Sequence, residues 1–570
     1  MSDPLTSDPL TQESTDPMNS TPRLPTGGDV LVRAMKRHGI DTAFGVISVH
    51  NLPLVEAVSR ELRFVEMRHE AAVVNAADGY GRATGGIGVA ITSTGTGAGN
   101  AAGSMIEALT ARSRVLHVTG QIDSEFLDAP RGVIHEFPAQ LQMLDAVSVF
   151  AATVLSADRA EAVLEQALAA IGGAPGGPAS VEWPSDLQYL ARPDGQQPFD
   201  VPEPALPETD EASLDEAVAL LASARRPVLW VGGGAAGAGA ELAALAHRLG
   251  AGVLTSNSGR AIVPEDDDLV IGNFASSAAV APLLAEADLM LSIGTHFRSN
   301  ETKSYSLDLP KRHVQIDVDP AAVGRVYPAE VGLVGDAAAV LARLLDRLPG
   351  STTEVEWPAR VREVRAKVRA ELYDYIGGYA EICRGLRSIL PRESVVARDV
   401  TIPSSQWGNR LLEFYDRRTN IFPLGGGIGQ GLAMGIGASV GRPDSPTVVF
   451  AGDGGLSVHL GELASLAGTG AWCVVLVFND GGYGVLRNMQ RANGLDVTAV
   501  DLYTPDFHAV ARAMDMPYWL VRGAGNFETT LREAVQAHRP VMIEVDVTAL
   551  APQPGAFTPP VHIPTANGRT

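Results

Sequence analysis

Apolar positions along this chain fall into short runs broken by glycine-rich turns. The densest example lies at 448–486. There the pattern predicts a strand over 448–451, a tight turn over 452–455, a short helix over 461–467, a strand buried on both faces over 473–478, and a second turn over 479–482. The same alternation begins at residue 29, with a helix over 30–38, strands over 42–46 and 62–66, a helix over 70–83, a strand over 88–92, a helix over 100–111 and a strand over 115–119. That unit closes near 180–183. A second unit reads as strands over 228–231, 253–255, 289–293 and 314–317, with helices over 240–249 and 337–348. A third starts with a helix over 360–376 and runs to about 548. Strands alternating with helices imply parallel sheets covered on both faces. The expected fold class is α/β, with three doubly wound parallel-sheet domains.

Composition sets the boundaries between these units. Residues 1–28 are rich in Ser, Thr, Asp and Pro and have no apolar period, so a disordered extension is expected. Residues 29–190 form the first domain, 191–210 a Pro-rich linker, 211–350 a central domain, 351–550 a third domain and 551–570 a flexible tail. The net charge of −22 argues against nucleic acid or an anionic membrane as partner. Two cysteines exclude a disulfide framework. No apolar run has the length of a membrane span and no signal-peptide pattern opens the chain, so a cytoplasmic enzyme is expected.

The two acidic turns carry the first candidate chemistry. Asp453 and Asp480 each follow a strand, each beside glycine, and Gly452, Gly454, Gly455 and Gly482 offer amides unshielded by side chains. One Asp-Gly pair is ordinary turn chemistry. Two of them at the carboxyl ends of neighbouring parallel strands suit a hard divalent cation together with a diphosphate.

The Gly-Asp-Gly and Asn-Asp-Gly pair resembles the thiamine diphosphate signature of the acetolactate synthase, pyruvate decarboxylase and benzaldehyde lyase family. The resemblance covers roughly residues 27–550. It implies pyrimidine-binding, central and diphosphate-binding domains, in that order. It implies Asp453 and Asp480 as Mg²⁺ ligands, with the Gly482 carbonyl as the third. The family usually has Asn where this chain has Asp480, which adds a negative charge. The segment RHEAAVVNAADGYGR resembles the family's helix whose glutamate, here Glu70, hydrogen-bonds the cofactor's pyrimidine. Taken alone, Glu70 is also a carboxylate favoured at a helix start. Burial is expected to raise its pKa. The glycine-rich turn 94–100 could by itself bind phosphate, but the resemblance implies that Gly95 and Gly97 lie near the aminopyrimidine. The stretch 424–438 places Gly427 beside the cofactor and Ile428 as the apolar wedge under its thiazolium, with plain core packing as the other reading of Ile428. Tyr483 is a further candidate for the cofactor pocket.

Two histidines complete the expected site. His50, in GVISVHNLPL, matches a histidine shared by benzaldehyde lyase and the guanidino-oxoacid decarboxylases. His135, in GVIHEFPAQ, again resembles those decarboxylases, where acetolactate synthases carry glutamine. Neutral imidazoles there would move protons to and from substrate. Gln121, Gln140 and Gln406 are further pocket candidates. In the central unit, Gly232–Gly234 and Gly294–Arg298 match a dinucleotide fingerprint poorly. Some acetolactate synthases hold FAD in this domain, but a domain without flavin is the favoured expectation.

The expected activity is thiamine diphosphate- and Mg²⁺-dependent cleavage or formation of C–C bonds on 2-oxo acids or 2-hydroxy ketones. A 2-oxoacid decarboxylase with carboligase capacity comes first and an acetolactate synthase-like condensation second. A non-catalytic protein of the same fold is the alternative of another class. In this family the cofactor bridges two subunits, so a homodimer or homotetramer with interface sites is expected. The substrates would be small 2-oxo acids and aldehydes or ketones.

Overall fold

The computed structural model describes residues 24–190, 199, 206–350, 353–555 and 557. It contains three six-stranded sheets, in which every strand pair is parallel. The first holds β1 (Thr42–Gly45), β2 (Arg63–Glu66), β3 (Gly88–Thr92), β4 (Val115–Gln121), β5 (Phe150–Thr153) and β6 (Ala179–Pro184), ordered β2-β1-β3-β4-β6-β5. The central sheet holds β7 (Pro227–Val231), β8 (Gly252–Thr255), β9 (Val270–Gly272), β10 (Leu289–Ile293), β11 (His313–Asp317) and β12 (Val331–Val334), ordered β12-β11-β10-β7-β8-β9. The third holds β13 (Val395–Arg398), β14 (Asn420–Ile421), β15 (Thr447–Gly452), β16 (Cys473–Asn479), β17 (Tyr518–Arg522) and β18 (Val541–Asp546), ordered β14-β13-β15-β16-β18-β17. The first and third sheets thus share one strand order despite unlike sequences. In such sheets ligands bind where the order reverses, at the carboxyl ends of β1 and β3 and of β13 and β15.

Strand β15 shows how period-2 burial builds two layers at once. Val448 and Phe450 face an aromatic cluster with Trp407 and Phe478. Val449 and Ala451 face the opposite way, toward the helix Gly431–Gly441 and the first unit. That helix crosses the first unit's helix Glu70–Thr84 at glycines. A Cβ on Gly437 would lie 1.8 Å from the Ala76 carbonyl oxygen, and one on Gly79 would lie 2.1 Å from that of Met434. The central unit is tied to the third by a fully buried ion pair, Arg260–Glu265, whose partners also bond the backbone of Gly408, Leu412 and Phe414.

Several elements differ from the expectations. The first helix is Gly27–Arg37, because Thr26 and Asp29 form a capping box ahead of it. The extension expected over 1–28 therefore stops short of the helical Gly27 and Gly28, and residues 1–23 lie outside the described residues. The helix expected from 100 starts at Thr96, so Gly97 lies in its first turn. Asp453 is not in a turn but opens the six-residue helix Asp453–Val458. The helices Leu52–Glu61 and Glu211–Ala222 were not anticipated. Most of the linker over 191–210, and the tail from 558, lie outside the described residues. Among the described residues no helix is long and apolar enough to cross a membrane.

Candidate active site

The third sheet brings its two acidic segments together. Gly452 on β15 pairs in register with Phe478 on β16, so Asp453 and Asp480 stand just beyond adjacent strand ends. Asp453 is 2% exposed, yet its carboxylate is poorly partnered: Oδ1 accepts from the Asp480 amide at 3.4 Å and Oδ2 from the Thr504 hydroxyl at 3.2 Å. Burial raises its pKa. Burial and then the Asp453 charge push Asp480 up to about 6, with Arg487 pulling the other way. The Arg487 guanidinium lies 3.9 Å from Asp480 Oδ1 and spends its hydrogen bonds on Asp501 and on the carbonyls of Asp480 and Gly481. Two neighbouring carboxylates removed from water are costly unless a cation compensates them, and Arg487 offers only a long contact to one of them. Their hard oxygens are the donors that Mg²⁺ takes, so the residues present fit that ion. Among the described residues no group of three or more His, Cys, Asp or Glu side chains that could hold a metal is found, so an ion here would need ligands beyond these two carboxylates.

Glycine is required where this corner closes. Gly482 has φ +141° and bridges to Asp501, with the Val500 oxygen 2.1 Å from where a Cβ would stand. The same point on Gly454 is 2.8 Å from the Tyr483 ring and 3.3 Å from the Gly482 carbonyl oxygen. Tyr483 is thereby packed over the start of the Asp453 helix.

The loop bearing Gly427 and Ile428 is held by a carboxylate that the sequence reading missed. Asp399 follows β13 and is 1% exposed. It accepts from the Gly429 amide at 3.0 and 2.9 Å and from Val400 at 2.7 Å. It stands at the strand-order reversal beside Asp453. The first unit grips the other end of this loop through Glu107, which accepts from the Leu424 amide at 2.7 Å and the Gly425 amide at 2.5 Å. Between these anchors Ile428 is 41% exposed, so it is not packed in the core of its own chain.

The first sheet builds the second half. Glu70 opens the helix Glu70–Thr84, capped by His69, whose Nδ1 accepts from the Ala71 amide. The Glu70 carboxyl is partly buried and accepts from Asn100 Nδ2 at 3.1 Å. Gly97 makes room for it, since a Cβ there would lie 3.0 Å from Glu70 Oε1. His50 follows β1 and meets His135 ring to ring, with centroids 5.1 Å apart and planes at 86°. His135 is exposed with φ +66°, and its carbonyl oxygen lies 2.3 Å from where a Cβ on Gly95 would stand. His50 is 8% exposed, and its Nδ1 has no hydrogen-bond partner. Burial, then the neighbouring His135, lower the His50 pKa, with Asp123 opposing, so it is held neutral. Gln121 and Gln140 are 5% and 1% exposed, and both side-chain amides donate to Glu182. Gln406 is paired with Gln553.

Besides the helix crossing and the Glu107 contact, the two halves touch within the chain beside Glu70. Glu462 accepts from the Arg68 amide at 3.0 Å, and His459 lies against His69. Among the described residues no hydrogen bond, ion pair or ring contact joins Glu70, His50 or His135 to Asp453 or Asp480.

The central sheet has the strand order of dinucleotide-binding folds. Its glycines serve close packing: a Cβ on Gly232 would lie 2.2 Å from the Gly294 oxygen. A cavity of about 760 Å³ opens there, lined among others by Gly234, Arg298, Glu301 and Asp317. Ser256 and Asn257 follow β8, where a dinucleotide fingerprint has an acid.

Three family descriptions match this chain. They are the thiamine pyrophosphate enzyme N-terminal TPP binding domain over residues 25–147, the central domain over 214–344 and the C-terminal TPP binding domain over 403–545. A probable 2-ketoarginine decarboxylase of Pseudomonas aeruginosa is 33% identical over 497 residues, which is 86% of this chain and 88% of that protein. Acetolactate synthase large subunits of Parasynechococcus marenigrum and Corynebacterium glutamicum are 28% and 27% identical, over 93% and 92% of this chain and 88% and 87% of theirs. The three sheets, the paired site halves and these matches agree, and the chain belongs to the thiamine pyrophosphate enzyme family.

Proposed function

We propose that this protein is a cytoplasmic, thiamine diphosphate- and Mg²⁺-dependent 2-oxoacid decarboxylase with carboligase capacity, working as a homodimer or homotetramer. The observation that carries the choice of decarboxylase is the His50–His135 pair, with its buried, unpartnered Nδ1. A 2-ketoarginine decarboxylase among the relatives supports the same choice. An acetolactate synthase-like condensation is the second reading, favoured by the near full-length similarity to those enzymes.

When bound, thiamine diphosphate supplies the carbon nucleophile and the electron sink for loss of CO₂. Asp453, Asp480 and the Gly482 carbonyl would hold Mg²⁺, and the glycine amides beside them the diphosphate. Glu70 would hydrogen-bond the pyrimidine end of the cofactor, and Ile428 would support it. His50, kept neutral by burial, and His135 accept and return protons at the substrate oxygen. The apolar Ile47, Val49 and Ile134 beside one half, and Val458, Leu486 and Tyr503 beside the other, are exposed, which supports cover by a second copy. FAD is not part of this reading.

A panel of 2-oxo acids, with and without added aldehydes, tests the proposal. CO₂ with an aldehyde product is expected, lost on stripping the cofactor and Mg²⁺ and restored on adding both back. Acetohydroxy acids as the main product would favour the second reading, and turnover unchanged by stripping would end both.

A further inference from the structure

Behind the first half of the site lies a closed polar network that the chemistry above does not use. Glu182 on β6 is 3% exposed. Its Oε1 accepts from the Thr153 hydroxyl at 2.5 Å, and its Oε2 accepts from Gln121 Nε2 at 3.1 Å and Gln140 Nε2 at 3.0 Å. The Gln140 amide also donates to the Gly120 carbonyl at 3.0 Å. Its oxygen accepts from the Gly95 amide at 2.7 Å and the Thr94 hydroxyl at 2.9 Å. All four hydrogen-bonding positions of that amide are filled. Its orientation follows from its neighbours: a carboxylate and a carbonyl only accept, and a backbone amide only donates.

Both backbone groups that Gln140 holds lie directly behind site residues. A Cβ on Gly120 would lie 2.5 Å from the His50 carbonyl oxygen and 2.9 Å from the His50 Cβ. Gly95, at φ +58°, presses on the His135 carbonyl, and Gly97 two residues on borders the Glu70 carboxyl. One buried side chain therefore spans the strand end behind His50 and the turn behind His135 and Glu70.

We propose that Gln140 and Glu182 are positioning residues that keep His50, His135 and Glu70 in register, acting through Gly120, Gly95 and Gly97. The proposal rests on the reading that these three residues surround the reacting centre. Neither Gln140 nor Glu182 touches substrate or cofactor in it.

Four variants of the holoenzyme test it. Glu182→Gln keeps an oxygen for both amides and turns its NH₂ toward the Thr153 oxygen, so the Gln140 orientation survives. Glu182→Ala removes that acceptor. Gln140→Met removes all four bonds at similar volume, and Gln140→Glu sets an acceptor against the Gly120 carbonyl and Glu182. Displacements near 1 Å can cost about 100-fold in rate, so the last three should lose about 10–100-fold in kcat with little change in KM. They should also shift the imidazole ¹³C resonances of His50 and His135 in selectively labelled protein. Glu182→Gln should match wild type in both. Folded variants with wild-type kcat and unshifted resonances would overturn the proposal, as would Glu182→Gln impaired as badly as Glu182→Ala. If the disruptive variants do not fold, hydrogen exchange at the Gly95 amide decides: protection in wild type and Glu182→Gln supports the network, and exchange as fast as in an open loop overturns it. Wild-type turnover in His50→Ala and His135→Ala would sink the catalytic reading instead, leaving the resonance shifts to judge the positioning.

Discussion

Asp399 does its work by holding backbone amides. Burial pushes its pKa up to about 6 from an ordinary 3.8. Between those values the folded chain keeps a proton that the unfolded chain has released. Stability contributed by this group is therefore full below the lower value and falls as pH rises through about 4 to 6, by on the order of 3 kcal/mol. Asp399→Asn keeps an oxygen for the Gly429 amide but cannot ionise. Thermal midpoints of the metal-free protein should show wild type losing ground to this variant between about pH 4 and pH 7. Parallel curves would refute the assignment. Asp399 ends a strand as Asp453 does, so the same strand-end pattern could have exposed it. It went unread because no glycine flanks it and because Arg398, buried in β13, interrupts the apolar run. The burial of Gln121 and Gln140 has a different origin. Both donate to Glu182, which is 61 residues from Gln121 and 42 from Gln140 in sequence, and β6 brings it beside Gln121 by pairing with β4. No local pattern carries that information.

At the scale of elements, strands buried on both faces were legible because they need unbroken apolar runs, and β3, β10 and β16 are of this kind. The edge strands β2 and β14 are short and partly polar, and they yield weaker signals. The glycines of Thr96–Ala111 hid its first turn, since glycine's low helix propensity is overridden here by packing against Glu70 and Ser93. Glycine also sets the crossing of Glu70–Thr84 with Gly431–Gly441. One helix begins at Glu70 and the other follows the Ile428 loop, so their separation helps set the spacing of site elements. Gly437→Ala would drive a methyl group into the Ala76 carbonyl, and overpacking of this kind costs about 1–3 kcal/mol or more. Gly468→Ala, which points into open space on the helix Glu462–Thr469, should instead gain up to about 1 kcal/mol. Denaturation midpoints moving in opposite directions would support this account of the crossing, and a neutral Gly437→Ala would refute it.

At the scale of the whole molecule, the strand-end acids and the three-sheet layout were legible in the residues themselves, whereas the expectation that the two site halves meet across subunits came from the family resemblance alone. Glu70 and Asp453 open helices beside different sheets, and no described hydrogen bond or ion pair joins them within the chain. Each half is bordered by exposed apolar side chains, including Val49 and Ile134 on one and Val458 and Leu486 on the other. A two-fold dimer that covers one border with the other would pair Glu70 of one copy with Asp453 of its partner. This arrangement makes a prediction that a site within one chain cannot match. Glu70→Ala and Asp453→Ala should each be inactive alone. In a mixed dimer, one site collects both lesions and the other collects neither. Random reassortment after mild dissociation makes about half of the dimers mixed, so about a quarter of all sites should recover. A mixture that stays inactive while native electrophoresis or mass spectrometry shows that hybrids have formed would place both residues in a single chain's site. Recovery near a quarter of wild-type turnover would establish the shared one.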